Sequence, residues 1–318
     1  MLKAVSLTAI LLLSLLFGLH TPDLPRAELQ SRYGLTPQNY LQLERMSMAY
    51  KDTGPRDAPA VLLLHGFGSS LQTWDEWSEK LELNYRVIRL DLPGFGMTGP
   101  SPDHDYSEAQ DLKTLTAFVD TLGLSKLAII GHSMGGKMAW SFAAAHPERV
   151  TSLVLMAPDG FPKPEDIGTR PYATPAVMGA IKYILPPFVV QKSIEPAFAD
   201  VGAISPSLIN RYHDMLRAPG VRAAILDRGN QTIYTDPVPR LKAIKAPTLL
   251  IWGAEDRMIP STNARNYESV LENSQTLVLP KLGHLIQEEQ PERGLMAVLE
   301  FLRRTSGTGL SSLDKPAT

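Results

Sequence analysis

Short apolar runs, each closed by a glycine or proline loop and followed by a segment of helical period, recur along the chain: AVLLLHG (60–66) before TWDEWSEKLEL, YRVIRLDL (85–92) before YSEAQDLKTLTAFVDTLG (106–123), KLAIIGH (126–132) before MGGKMAWSFAAAHPE (134–148), then RVTSLVLMAP (149–158). Strands bounded by helices predict an α/β fold with a mostly parallel sheet covered on both faces. Right-handed crossovers leave few topologies open. MSMAYKD, ending before Thr53, alternates as a further strand, and in TWDEWSEKLEL the residues Trp74, Trp77 and Leu81 share one side. Between Gly160 and about Lys245 the rhythm stops and only helical periods remain, the pattern of an inserted cap. It resumes with PTLLIWG (247–253), STNARNYESVLEN (261–273), SQTLVLP (274–280) and a helix within LIQEEQPERGLMAVLEFLRR.

The expected organisation is a core of residues 45–160 and 246–304 interrupted by a helical cap (lid) at 161–245. Residues 21–44 read as a linker or short helical lead-in, and 305–318, rich in Ser, Thr and Gly, as a disordered tail. Residues 1–20 carry one lysine and then an uncharged, mostly apolar run from Ala4 to Leu19, which predicts a signal peptide or an uncleaved membrane anchor. Either places the remainder outside the cytoplasm, on the periplasmic or extracellular side.

A formal net charge of −2 from 31 basic and 33 acidic side chains, with no long like-charged run, argues against nucleic acid as a partner. With no cysteine, disulfides, thiol nucleophiles and thiolate metal sites are excluded together.

GHSMGG (131–136) carries the chemistry. Ser133 falls at a strand-to-helix junction, where a sharp turn lifts its hydroxyl above the carboxyl edge of the sheet, and Gly131 and Gly135 remove side chains that would clash. Unpaired N–H groups at the helix start suit developing negative charge. A serine hydroxyl needs a base, and the base needs an orienting acid. Of seven histidines, His284 in KLGHLIQEEQPE follows the last strand by a short loop, at the same edge. Asp256 in IWGAEDRMIP leaves strand 247–253 there too, with Asp159 and Glu255 as competing acids. His65 and His132, beside the glycine loops, read as structural. HGFGSS (65–70) leaves the strand next to the nucleophile strand, so the N–H groups of Phe67 and Met134 are candidates for an oxyanion hole. DLPGFGMTGP (91–100) looks like the glycine fingerprint of a dinucleotide site, but its glycines do not open a helix, so it is a weak cofactor site.

In chain order, LLLHGFGSS, RVIRLDLPGFGMTGP, GHSMGG, LLIWGAEDRMIP and LGHLIQEEQPE resemble the α/β-hydrolase fold family, within its lid-bearing serine hydrolases, from about Arg45 to Arg304. The resemblance implies an eight-stranded sheet, a helical cap after the sixth strand, and a Ser133, Asp256, His284 triad. Ser133 stands where dehalogenases and epoxide hydrolases of this family have aspartate. No metal or organic cofactor is implied. The implied activity is hydrolysis of carboxylic esters, as in esterases and lipases, through an acyl-enzyme on Ser133; carbon–carbon bond hydrolases, lactonases and perhydrolases share the motifs, and a non-catalytic binding member is a further alternative. VMGAIKYILPPFVV in the cap suits either a pocket for an apolar acyl or aromatic group of a small ester, or a packed cap core.

Overall fold

Side chains alternate across a strand, so a run that is apolar at every position is stable only when both faces of its sheet are covered. That condition is met in the computed structural model, which describes residues 20–168 and 175–305. The elements are α1 (Arg26–Tyr33), β1 (Tyr40–Leu43), β2 (Met46–Thr53), β3 (Ala60–Leu64), α2 (Asp75–Leu81), β4 (Arg86–Leu90), α3 (Glu108–Thr121), β5 (Leu127–His132), α4 (Met134–Ala145), β6 (Val150–Met156), α5 (Pro187–Ile194), α6 (Pro206–Leu216), α7 (Val221–Gln231), β7 (Thr248–Gly253), β8 (Ser274–Leu279) and α8 (Pro291–Thr305), with shorter turns between. The eight strands form one sheet in the order β1-β2-β4-β3-β5-β6-β7-β8. Pairing is antiparallel from β1 to β4 and parallel from there on.

Alternation divides the core. Leu62, Leu64, Ile88 and Ile129 face the layer holding Trp140 and Phe142 of α4, whereas Val61, Leu63, Val87 and Ile130 face the layer of α2 and α8. Trp74, Trp77 and Leu81 are all fully buried in that second layer, on one side as their spacing predicts.

Residues 21–44 hold more than a linker. Leu24, Leu29 and Leu35 are buried, α1 packs against the body of the fold, and Tyr40–Leu43 supplies the edge strand of the sheet. YLQL is too short to show an alternation, and a hairpin partner directly after it makes the strand. Asp23 binds Arg222 of α7 at 2.6 Å, and Asp214 of α6 accepts from Arg32 at 2.5 Å and Tyr33 at 2.8 Å.

The chain between β6 and β7 contains helices and no strand among its described residues, with a core of its own around Leu185, Val190, Phe198, Leu208 and Tyr212. It is fastened to the sheet domain by Arg228 of α7, whose guanidinium donates to both oxygens of Asp111 (2.6 and 2.9 Å) and to Pro93 O (2.9 Å). The same group lies over the rings of Tyr106 and Phe95, at 5.0 and 5.4 Å. The DLPGFGMTGP loop is thus held as packed structure, its Pro93 carbonyl by Arg228 and its Met97 N–H by the Asp91 carboxylate. Both partners of the Arg228–Asp111 pair are buried, so Arg228→Met leaves a charge without its counter-ion and lowers stability by about 3–5 kcal/mol. Adding Asp111→Leu recovers much of that loss; denaturant titration of the two variants measures both effects.

Residues 1–19 and 306–318, on which the signal or anchor and the tail were expected, lie outside the described residues. Among the described residues no helix is long and apolar enough to cross a membrane.

Candidate active site

β5 lies between β3 and β6, and its carboxyl end delivers the chain directly into α4. Ser133, between the two, has φ 53° and ψ −119°, a left-handed backbone that non-glycine residues rarely adopt. Three hydrogen bonds hold it there: Ser133 N–H donates to Met156 O at 2.9 Å, and Ser133 O accepts from Lys137 N at 3.1 Å and Asp159 N at 3.0 Å. A Cβ at Gly131 would run into the Gly135 carbonyl, and one at Gly135 into the carbonyls of Leu64 and His65. The two glycines allow the helix to start flush against β3 and β5.

His284 and Asp256 arrive on the loops after β8 and β7. Parallel strands end at one edge, so all three side chains gather above it. His284 Nδ1 lies 2.7 Å from Asp256 Oδ2, with both side chains almost fully buried. The other carboxylate oxygen, Oδ1, accepts from the N–H groups of Met258 (2.8 Å) and Ile259 (2.9 Å). Of the competing acids, Glu255 is exposed, and Asp159 lines the cavity while its own N–H and carbonyl bind Ser133 and Trp140. Ser133 and His284 share a cavity of about 550 Å³ with Phe67, Met134, Met258 and Ile259. Among the described residues, neither the Phe67 nor the Met134 N–H is taken up by a loop or turn carbonyl. Of the cationic residues lining the cavity, Lys137 is 3.4 Å from Glu108, and Arg228 is paired with Asp111. Among the described residues no group of three metal-ligating side chains comes together.

The stretch VMGAIKYILPPFVV does not line this cavity. Leu185 and Val190 enter the insertion's own core, so the packed-core reading describes them, and other residues of the stretch face outward.

His65 and His132 serve the loops. His65 Nδ1 bonds Gly66 O at 2.8 Å while Nε2 accepts from Leu92 N–H at 3.0 Å, an arrangement only the neutral ring satisfies. Burial pushes its pKa down to about 4. His132 Nε2 bonds His284 O at 3.0 Å, and burial, then the nearby His284 ring, hold it well below the ordinary range. Unfolding lets both rings take up protons. The stabilising effect of His65 is therefore complete above the unfolded value of 6.5 and lost as pH falls towards 4, amounting to roughly 3 kcal/mol, and His132 acts in the same direction. Urea titrations between pH 7 and pH 4 test this; a flat stability profile would contradict it.

A clamp on the histidine loop left no mark in the sequence. His284 N–H donates to Ala197 O of the insertion at 2.7 Å. Glu289, buried, accepts from Gly283 N–H at 2.7 Å and from Asp200 N–H at 2.8 Å. It thereby joins the residue before His284 to the insertion. Glu289→Gln turns one acceptor into a donor facing an N–H, and the loop must shift. The expected result is a loss of kcat of up to about 10²-fold with KM little changed, measured by steady-state kinetics. These contacts join backbone groups far apart in sequence, for which no residue pattern is diagnostic.

The model of the family described as alpha/beta hydrolase fold matches residues 59–186 and 209–291. The chain belongs to the α/β-hydrolase fold family. Among relatives of this hydrolase, a 2-hydroxy-6-oxononadienedioate/2-hydroxy-6-oxononatrienedioate hydrolase of Burkholderia vietnamiensis is 32% identical over 263 residues, covering 80% of this chain and 90% of the relative. A membrane phospholipase A of known structure is similar over 96% of this chain and 100% of its own, with TM-score 0.74 and 26% identity. A thermophilic esterase from Thermogutta terrifontis superposes with TM-score 0.70 at 29% identity, over 84% of this chain and 97% of its own.

Proposed function

We propose that this hydrolase cleaves carboxylic esters through an acyl-enzyme on Ser133. The observation that carries the reading is the 2.7 Å His284–Asp256 bond at the wall of the cavity that Ser133 enters on its strained turn. In this mechanism the Ser133 hydroxyl oxygen attacks the ester carbonyl carbon while its proton passes to His284 Nε2. Asp256 keeps the remaining ring proton on Nδ1 and offsets the charge of the imidazolium. The carbonyl oxygen becomes an anion facing the N–H groups of Phe67 and Met134. Collapse of this intermediate expels the alcohol, which takes the proton from His284. Water then attacks the acyl-enzyme, giving its proton to His284, and the acid leaves as Ser133 is restored.

The charge balance of the cavity supports an uncharged reacting end. Lys137 and Arg228 each face a carboxylate partner that also lines the cavity, so a dianionic substrate meets no unmatched cation among the described lining residues. Phe67 and Met258, both at the cavity and about half exposed, give its mouth an apolar rim. Similarity to the phospholipase A and to the esterase agrees with this reading.

Carbon–carbon bond hydrolysis is the second reading, and the curated relatives weigh towards it more than towards esters, since the one from Burkholderia vietnamiensis is named for a nonadienedioate substrate. A p-nitrophenyl ester series of increasing acyl length, set beside a 2-hydroxy-6-oxo-dienedioate, separates the two. Ester turnover that disappears in Ser133→Ala supports the first reading. Turnover of the dienedioate alone overturns it in favour of the second.

A further inference from the structure

The exposed part of VMGAIKYILPPFVV is a feature the active site does not use. Val177, Met178, Tyr183 and Phe188 are 77%, 44%, 63% and 65% exposed. Scattered apolar residues are ordinary on a protein surface, but these four stand on one short segment: Val177 and Met178 in a 3-10 turn at Ala176–Lys182, Tyr183 directly after it, and Phe188 in the first turn of α5. From Pro175 to Gln191 that segment contains no acidic residue, and its only charge is Lys182.

A second observation concerns what meets this segment. Thr21 N–H donates to Tyr183 O at 2.8 Å, and Thr21 Oγ1 accepts from Leu185 N–H at 2.9 Å. Next along the chain, Asp23 binds Arg222, and Leu24 N–H donates to Arg217 O at 2.8 Å. The chain that follows the uncharged run Ala4–Leu19 is therefore fastened to the backbone of the apolar segment itself. The uncharged run ends two residues before Thr21 in the sequence, and Thr21 is bonded to the exposed apolar segment in the structure.

We propose that this face of the insertion rests on a lipid bilayer, with Val177, Met178, Tyr183 and Phe188 entering the boundary between headgroups and acyl chains. The chemistry suits that boundary. Aliphatic side chains and the Phe188 ring leave water, the Tyr183 ring keeps its hydroxyl at headgroup level, and Lys182 reaches lipid phosphates with its stem lying along apolar surface. An acidic residue in the segment would oppose contact with anionic lipid, and there is none. The surface fixes how the domain is oriented on the membrane, independently of which bond the active site cleaves.

Absence of native cysteine makes the test clean. Single-cysteine variants of the full chain, Val177→Cys and Phe188→Cys, are labelled with an environment-sensitive nitrobenzoxadiazole probe and reconstituted with phosphatidylcholine–phosphatidylglycerol vesicles, with and without nitroxide-labelled lipid. Leu83→Cys, at a position 71% exposed at the amino edge of the sheet and away from the insertion, is the control. Circular dichroism verifies that each labelled variant is folded. At 177 and 188 the emission shifts to shorter wavelength and loses intensity with nitroxide lipid; at 83 it does neither. Emission at 177 and 188 matching that at 83 overturns the proposal. A shift without nitroxide quenching also overturns it, because the cover is then protein, such as a second copy of the chain.

Discussion

Ser133→Ala lowers kcat by on the order of 10⁴- to 10⁶-fold and leaves the unfolding midpoint almost unchanged. The activity loss follows from removing the only protein atom in the proposed mechanism that bonds to the acyl group. The stability result follows from the turn: alanine keeps the Cβ, so the backbone at φ 53° is no more strained than before, and the serine side chain makes no capping bond to α4 that would be lost. The oxyanion donors stay in place, which leaves a small residual rate above that in water. Stopped assays on purified, folded variant would sink the assignment if turnover stayed within tenfold of wild type.

Asp256→Asn is expected to lower kcat by about 10⁴-fold, for a different reason. Each carboxylate oxygen is already committed, Oδ2 to His284 Nδ1 and Oδ1 to the N–H groups of Met258 and Ile259. An amide supplies only one acceptor. If its NH₂ faces His284, the ring must carry its proton on Nε2 and cannot accept one from Ser133. If it faces the loop, two backbone N–H groups lose their partner, at a cost of roughly 1–3 kcal/mol for each buried group left unsatisfied. Kinetics and denaturant titration together distinguish the two orientations: the first depresses kcat with stability retained, the second depresses both. A variant normal in both respects would remove Asp256 from the site.

Much of this site was legible because parallel sheets put function at one edge. Ser133, Asp256 and His284 each follow a strand that its apolar composition reveals, so their gathering follows from topology alone, before any distance is known. Glu255 and Asp256 were harder to separate, being adjacent in the sequence. Burial and the two backbone donors at Oδ1 single out Asp256, and those donors come from the turn that Met258 and Ile259 make. The edge strand Tyr40–Leu43 is not legible because four residues carry too little pattern, and the stretch 177–190 suits a pocket or a packed cap core equally because apolar composition is shared by pockets, cores and exposed apolar surfaces alike.

By itself the sequence determined the layer architecture, the strained serine turn and the family, because these depend on local period, on glycines at fixed offsets and on motif order. The tertiary structure decided what depends on distant partners. Arg228 meets Asp111 across 117 residues of chain, Glu289 and Ala197 hold the loop of His284, and Thr21 is tied to Tyr183. Such contacts form between groups that any loop could carry, and only the path of the folded backbone selects which of them meet.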